Sequence, residues 1–466
     1  MRLSVFGKVL ALALLAAIAA CSGSGSAASG PQAPPTTAPT PFPTGTGSGN
    51  LPVGIGPSKI KHVVFLIQEN RSFDNLFGGL DSNGKPFPGA DTVSNPNPGE
   101  PSPHDHNGNP VTMQVGALEE CHDPLHMYGN SVQDVSGGQM NGFDLEGVVP
   151  SFGCVPSPAP TDYVYRTIKY SEVQPYWEMG EQYAISDRMF EPFASASFGP
   201  HLYTVAGQSD TTIDNPNNTP FGCDAPTGTI VAVYNSQGEQ TVGVYPCLNI
   251  PTLADIFDTH GVVWRYYAPN ESDFGYSWNA FDAISQIRNG PDWNANIVSP
   301  PSQVISDVKG GSLAAMSWVI PTDATSDHPQ SASNQGPAWV TSVVDAIGQS
   351  EFWNSTVIFI MWDDWGGWYD HVPPPVVGPV GLGIRVPFIV VSPYAKLRYV
   401  SHVQHTSGSV LHFVEETFNL PSLGQEDART DDLADMFDFS QTPAKFSPFT
   451  AHNLIIRQKR RNRGAT

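Results

Sequence analysis

The sequence predicts an α/β fold: one large domain in which a mostly parallel central sheet is flanked by helices and interrupted by long loop excursions. Three observations carry this. Nearly unbroken apolar, β-rich runs recur along the chain, helical patterns lie between them, and irregular Pro/Gly-rich stretches intervene. The composition agrees. The 466 residues are 40% hydrophobic and 11% aromatic, enough for a large core, while 14% charged residues with 44 Gly and 44 Pro argue against a coiled coil or helical repeat. Lys and Arg total 22 against 44 Asp and Glu, a net charge of -22. That surplus argues against a nucleic-acid partner, because backbone phosphates need a basic surface.

The N-terminus reads as an address. Arg2 and Lys8 precede the apolar run Val9 to Ala20. Such a run rises about 18 Å as a helix, short of a bilayer core but suited to a signal peptide. It ends Ile18-Ala19-Ala20-Cys21, which resembles a bacterial lipobox. Residues 1–21 are thus expected to be a lipoprotein signal ending at a lipidated Cys21, with a secretory signal cleaved near Ala20 as the alternative. Residues 22–58 are Ser, Gly, Ala, Pro and Thr-rich without charge, the composition of a disordered tether. Its random-coil span of about 30 Å would hold a folded domain just off a membrane.

The folded domain is expected over 59–446. Its first strand is the run His62 to Ile67, followed by Val262 to Tyr267, Met316 to Ile320, Thr356 to Trp362 and Phe388 to Val391. Helices are expected at Leu253 to His260, closed by Gly261, at Ala338 to Ile347, closed by Gly348, and at Ser409 to Phe418. Leu80 to Thr161 and Asp210 to Gly243 read as long loops, the kind that form functional walls or lids. Setting Cys21 aside, Cys121, Cys154, Cys223 and Cys247 suit two disulfides in an exported protein, with the local pairs Cys121–Cys154 and Cys223–Cys247 favoured. Residues 447–466 form a basic tail, either solvated or drawn to anionic lipid.

Ligands bind beyond the carboxyl ends of strands in such sheets. After the first run comes Gln68-Glu69-Asn70-Arg71-Ser72-Phe73-Asp74, and after the fourth comes Asp363-Asp364-Trp365-Gly366-Gly367-Trp368-Tyr369-Asp370-His371. Adjacent buried carboxylates need a positive partner, and a divalent cation is the simplest. Glu69, Asn70, Asp363 and Asp364 offer hard oxygens, suited to Mg²⁺, Ca²⁺ or Mn²⁺ more than Zn²⁺. The alternative for Asp363-Asp364 is a solvated turn.

These segments, with Arg385 to Pro393 and His405-Thr406-Ser407 before Glu415-Glu416, resemble the bacterial phosphoesterase family of nonspecific phospholipases C and acid phosphatases, within the alkaline-phosphatase-like superfamily. The resemblance runs from Lys59 to Leu423. It implies a metal-dependent hydrolase acting on a phosphate-ester small molecule or a phospholipid headgroup. It implies a Ser nucleophile set before a helix, which falls at Ser197 when His201 takes the family's basic position; Ser195 is the alternative, and Ser197 as a helix cap another. His126 and His328 would bind phosphate oxygens or protonate the leaving group, with His371 and Asn70 also touching substrate. Beside Asp370, His371 also reads as support for the metal ligands, and Arg71 either orients Glu69 or faces solvent. Haemolytic members resemble this catalytic part followed by extra domains, so a chain ending soon after the last block leans toward a phosphatase. The competing class is a noncatalytic surface-binding lipoprotein on the same fold. A sulfatase is disfavoured, because its modified Cys or Ser motif is not found.

Overall fold

The computed structural model describes residues 59–119, 121–151, 158–329 and 334–449. Eight strands form the central sheet: β1 (His62–Gln68), β2 (Ala184–Ser186), β3 (Trp264–Tyr267), β4 (Ile297–Val298), β5 (Met316–Val319), β6 (Thr356–Trp362), β7 (Phe388–Val391) and β8 (Tyr399–Ser401). They lie in the order β4-β3-β5-β1-β6-β7-β2-β8. Every pairing is parallel except the two that β7 makes with β6 and β2. The apolar runs therefore became strands. β1 and β6 are buried almost end to end because each is paired on both edges and covered on both faces.

Helices of eight residues or more among the described residues are α1 (Tyr128–Val135), α2 (Tyr170–Gln182), α3 (Phe198–Ala206), α4 (Leu253–His260), α5 (Gly336–Gly348) and α6 (Ser407–Phe418). The alternation of β6 sorts them onto two faces. Phe359 meets Phe413 of α6 edge-on at 5.2 Å, whereas Trp362 meets Tyr176 of α2 at 4.8 Å. Trp318 of β5, in register with Phe65, donates its indole N–H to the Thr204 carbonyl and so fixes α3 on the α6 side. No helix among the described residues is long and apolar enough to cross a membrane.

Three expectations need correction. Gly261 closes α4 in the left-handed conformation, but Gly348 is the last residue of α5 and not a cap. Its lack of a side chain serves packing, since a Cβ there would lie 2.4 Å from the Phe446 ring. The stretch Leu80 to Thr161, expected to be loop, contains α1 and three short strands: Gln114–Gly116 pairs with Arg166–Ile168 beyond it, and His122–Pro124 pairs with Val148–Pro150 inside it. Likewise Asp210 to Gly243 folds into a three-stranded antiparallel sheet.

Cys223 and Cys247 are disulfide-bonded. Cys121 is also disulfide-bonded, and its expected partner Cys154 lies outside the described residues. So do the leader, Cys21, the tether up to Ser58 and residues 450–466. Phe449 is buried and takes part in the core, so the packed chain reaches past residue 446.

Candidate active site

The carboxyl ends of β1, β5 and β6 converge on one edge of the sheet, and the polar residues that follow them turn inward. Asn70 makes the first turn. It adopts φ 59, a left-handed conformation that Asn tolerates, and donates its N–H to Asp363 Oδ1 at 2.9 Å. Its side-chain Nδ2 donates to Asp364 Oδ1 at 3.1 Å and meets His126 Nε2 at 2.8 Å. Gly366 and Gly367 make the second turn, at φ 62 and 72. A Cβ on Gly366 would lie 2.3 Å from the Asn70 carbonyl, and one on Gly367 would lie 2.6 Å from the Leu125 carbonyl. Only glycines let the β1, β6 and His126 segments approach so closely.

Ser197 sits at the start of α3. Its hydroxyl makes no capping bond and instead donates to Asp364 Oδ2 at 2.9 Å. Asn215 performs the capping, accepting the Phe198 N–H at 2.9 Å. Ser195, the alternative, is committed elsewhere: its hydroxyl donates to the Ala196 carbonyl and accepts the Asp214 N–H. One turn into α3, His201 Nε2 lies 3.0 Å from Glu69 Oε1 and 3.5 Å from Asp363 Oδ2. Glu69, His201 and Asp363 are spaced to hold a cation.

The donor set fits a divalent cation on its own evidence. Glu69, Asp363 and Asp364 are fully buried, yet Glu69 Oε2, Asp363 Oδ2 and Asn70 Oδ1 have no hydrogen-bond partner. Buried oxygens left this way are costly unless a positive ion satisfies them. Burial and the neighbouring Asp363 push Glu69 well above the ordinary carboxylate range. Burial, then Asp363, raise Asp364 to about 7. Burial opposes ionisation of Asp363 too, but His201, Glu69 and the Asn70 N–H outweigh it and hold it at about 2. Mixed carboxylate, amide and imidazole ligation widens the set the sequence proposed, since one nitrogen joins the hard oxygens.

Glu191, also fully buried, is held well above its usual range by burial and by Asp364 and Asp363. It accepts the Ser195 N–H and so braces the loop that leads to Ser197.

His126 and His328 form the outer wall, with ring centroids 6.2 Å apart. His126 Nδ1 lies 2.8 Å from the Pro124 carbonyl and its Nε2 2.8 Å from the Asn70 amide nitrogen. Burial alone would lower its pKa, but Asp364 and Asp123 outweigh burial and raise it to about 9. A cation among those carboxylates would cancel most of that pull. Burial lowers His328 to about 4, so its ring is neutral at ordinary pH. Its ring stacks on Trp278, centroids 5.6 Å apart. Arg71 neither orients Glu69 nor faces solvent. Buried, it donates to the Asp327 carbonyl, Asn75 and the Leu118 carbonyl, tying the β1 turn to the loop that carries His328.

His371 departs from its expected place. It is fully buried, with Nδ1 2.5 Å from Asp74 Oδ2 and Nε2 3.0 Å from Asp91 Oδ1. Arg385 joins the cluster, bonding Asp370 at 2.8 Å. Both ring nitrogens are engaged, leaving none for a substrate. Neither His201 nor Glu191 stood in the expected set. His201 had a signal, since position i+4 from a helix-start serine shares its face; Glu191 had none.

A family model described as the Phosphoesterase family matches residues 60–421. The chain belongs to the phosphoesterase family. It is a hydrolase of phosphoric ester bonds. Among its relatives, Phospholipase C B of Mycobacterium tuberculosis is 25% identical over 460 residues, covering 86% of this chain and 82% of that one. Hemolytic phospholipase C of Pseudomonas aeruginosa is 25% identical, with 82% and 56% covered. Non-specific phospholipase C3 of Arabidopsis thaliana is 24% identical, with 79% and 71% covered. Among solved structures, an alkaline phosphatase superfamily protein from Vibrio parahaemolyticus aligns at TM-score 0.37 and 10% identity, over 79% of this chain and 70% of that one.

Proposed function

We propose that this phosphoesterase works through Ser197 as nucleophile on a phospholipid headgroup ester, exported and anchored at Cys21 by lipid. Glu69, Asn70, Asp363, Asp364 and His201 would hold the divalent cation, Mg²⁺, Ca²⁺ or Mn²⁺ by their mostly oxygen donors. When bound, that ion supplies positive charge that favours the serine alkoxide and balances the transition state.

The chain's own groups do the rest. Asp364 Oδ2 holds the Ser197 proton and receives it as Oγ attacks phosphorus. The new Oγ–P bond forms as the bond to the departing alcohol breaks, and protonated His126 gives its proton to that alcohol, with the neutral His328 ring beside it. Water then attacks phosphorus and gives its proton to His126, the Oγ–P bond breaks, and Asp364 returns its proton to Oγ to restore the serine hydroxyl. Asn70 orients Asp364 and His126 together, because its single amide bonds both.

The observation that carries this reading is the Ser197 hydroxyl, released from helix capping and aimed 2.9 Å from Asp364 inside a cluster of unpartnered buried oxygens. The phospholipid arm is favoured over a phosphomonoester because relatives matched over most of their length are named phospholipases C. The test compares phosphatidylcholine with p-nitrophenyl phosphate, identifies the products, and repeats both with Ser197→Ala. The proposal expects diacylglycerol and a phosphorylated headgroup from the native chain and no turnover from the variant. A fully active Ser197→Ala refutes the nucleophile, and turnover of the monoester alone refutes the lipid arm.

A further inference from the structure

The same edge of the sheet carries a second concavity. A cavity of about 650 Å³ opens beyond the carboxyl ends of β3 and β4, lined among others by Glu271, Tyr276, Asn279, Trp293, Asn294 and Ser299. In the strand order, β5 alone separates β3 from β1. Two to three strand spacings put the cavity about 10 to 14 Å to the side of the Glu69-Asn70 turn. The short 3-10 helix Phe274–Trp278 joins the two places physically: Trp278 stacks on His328, and Tyr276 lines the cavity. Two residues of such a helix are about 4 Å apart along its axis.

The lining chemistry selects the ligand. Among the described residues no Lys, Arg or His lines the cavity, so its lining does not favour phosphate. The nearby cation Arg288 lies over the Trp293 ring at 4.4 Å and is held by Asp282 at 2.7 Å. What the lining offers is aromatic surface with the amides of Asn270, Asn279 and Asn294, three hydroxyls, of which those of Tyr276 and Ser299 already donate to Asp224 and the Ala268 carbonyl, and the Glu271 carboxylate. Asn279 is 2% exposed, and neither its Oδ1 nor its Nδ2 has a partner. A buried amide unsatisfied at both ends wants a ligand that donates and accepts from adjacent groups, which is what vicinal hydroxyls do.

We propose that this cavity is a subsite for the uncharged, polyhydroxylated alcohol of the phosphate ester, a sugar, cyclitol or glycerol unit, whose phosphate lies at Ser197. The inference rests on the phosphoesterase reading for its reaction but not for its binding. The distance suits one such ring bridging the two places. The polyol can come from a soluble sugar phosphate or from a lipid headgroup.

The experiment uses the full chain and its Trp293→Ala and Asn294→Ala variants, residues on the outer side of the cavity. The soluble arm compares glucose 6-phosphate with p-nitrophenyl phosphate, and the lipid arm compares phosphatidylinositol with phosphatidylethanolamine vesicles. KM for the polyol ester should rise about tenfold in the variants in at least one arm, with kcat unchanged and the non-polyol partner unaffected. Equal changes for both members of each pair, or none, overturn the subsite. Free inositol and free glucose are also titrated and followed by tryptophan fluorescence, a readout that needs no turnover. Saturable millimolar binding lost in Trp293→Ala supports the subsite even if no ester is hydrolysed. Absence of binding by the native chain, with unaltered KM in the variants, removes it while leaving the phosphoesterase reading intact.

Discussion

Replacing His371 by Ala separates a structural role from a substrate role. The ring bridges Asp74 and Asp91 in a pocket sealed from solvent, with Arg385 alongside. Burial alone would lower its pKa, but Asp74 and then Asp91 outweigh burial and raise it to about 9. Against an unfolded value near 6.5, and at about 1.4 kcal/mol per pH unit, the protonated ring contributes about 3 kcal/mol. A raised folded pKa means this contribution is complete below about pH 6.5 and is lost as pH rises through about 9. Urea unfolding from pH 6 to pH 9.5 should show the native chain losing about that much stability over the range. His371→Ala should begin lower by about 3 kcal/mol and lack most of that slope, since the pair is broken and Asp74 keeps Arg385 as its positive neighbour beside two backbone N–H bonds. Turnover per folded molecule should hardly change. Undiminished stability with a collapse in kcat would refute this reasoning and return His371 to the substrate.

The other expectations concern the cation, the wall and the disulfide. His201→Ala removes the imidazole ligand but leaves the carboxylates; elemental analysis after dialysis should find bound divalent metal greatly reduced, with activity recovered only at high added metal. His126→Ala and His328→Ala should each lower kcat about a hundredfold, the low end for loss of a positioned acid or base, without altering metal content. Cys223→Ser opens a link between residues 24 apart in sequence, and chain-entropy arguments put the loss at about 3 kcal/mol in thermal or urea unfolding.

What the sequence disclosed, and what it withheld, follows from how far each signal reaches. Long apolar runs such as Thr356 to Trp362 declare themselves because burial on both faces forbids polar residues along them. The carboxylates of Asp363 and Asp364 were visible for the same reason, as charges placed where an apolar run stops. Ala184–Ser186, Ile297–Val298 and Tyr399–Ser401 are strands of two or three residues, too short for any periodicity, and they exist because a neighbouring strand offers an edge. His371 misled because it lies close to Asp364 along the chain, yet the Gly366-Gly367 turn carries the two apart, and the acids that claim the ring, Asp74 and Asp91, are far away in sequence. His201 served in the sequence only to place Ser197, because a histidine inside an apolar helix looks like core until Glu69 is brought against it. Glu191 sits in an unpatterned loop, and only the folded chain reveals its proximity to the acidic pair.

The nucleophile can be observed directly. Incubating the protein with excess substrate, quenching in acid and mapping peptides by mass spectrometry should find the phosphoryl group, or the phosphorylated headgroup, covalently attached to Ser197. The adduct should be missing from Ser197→Ala. A stable adduct on another residue, or full turnover with no adduct at any quench time, would contradict the account.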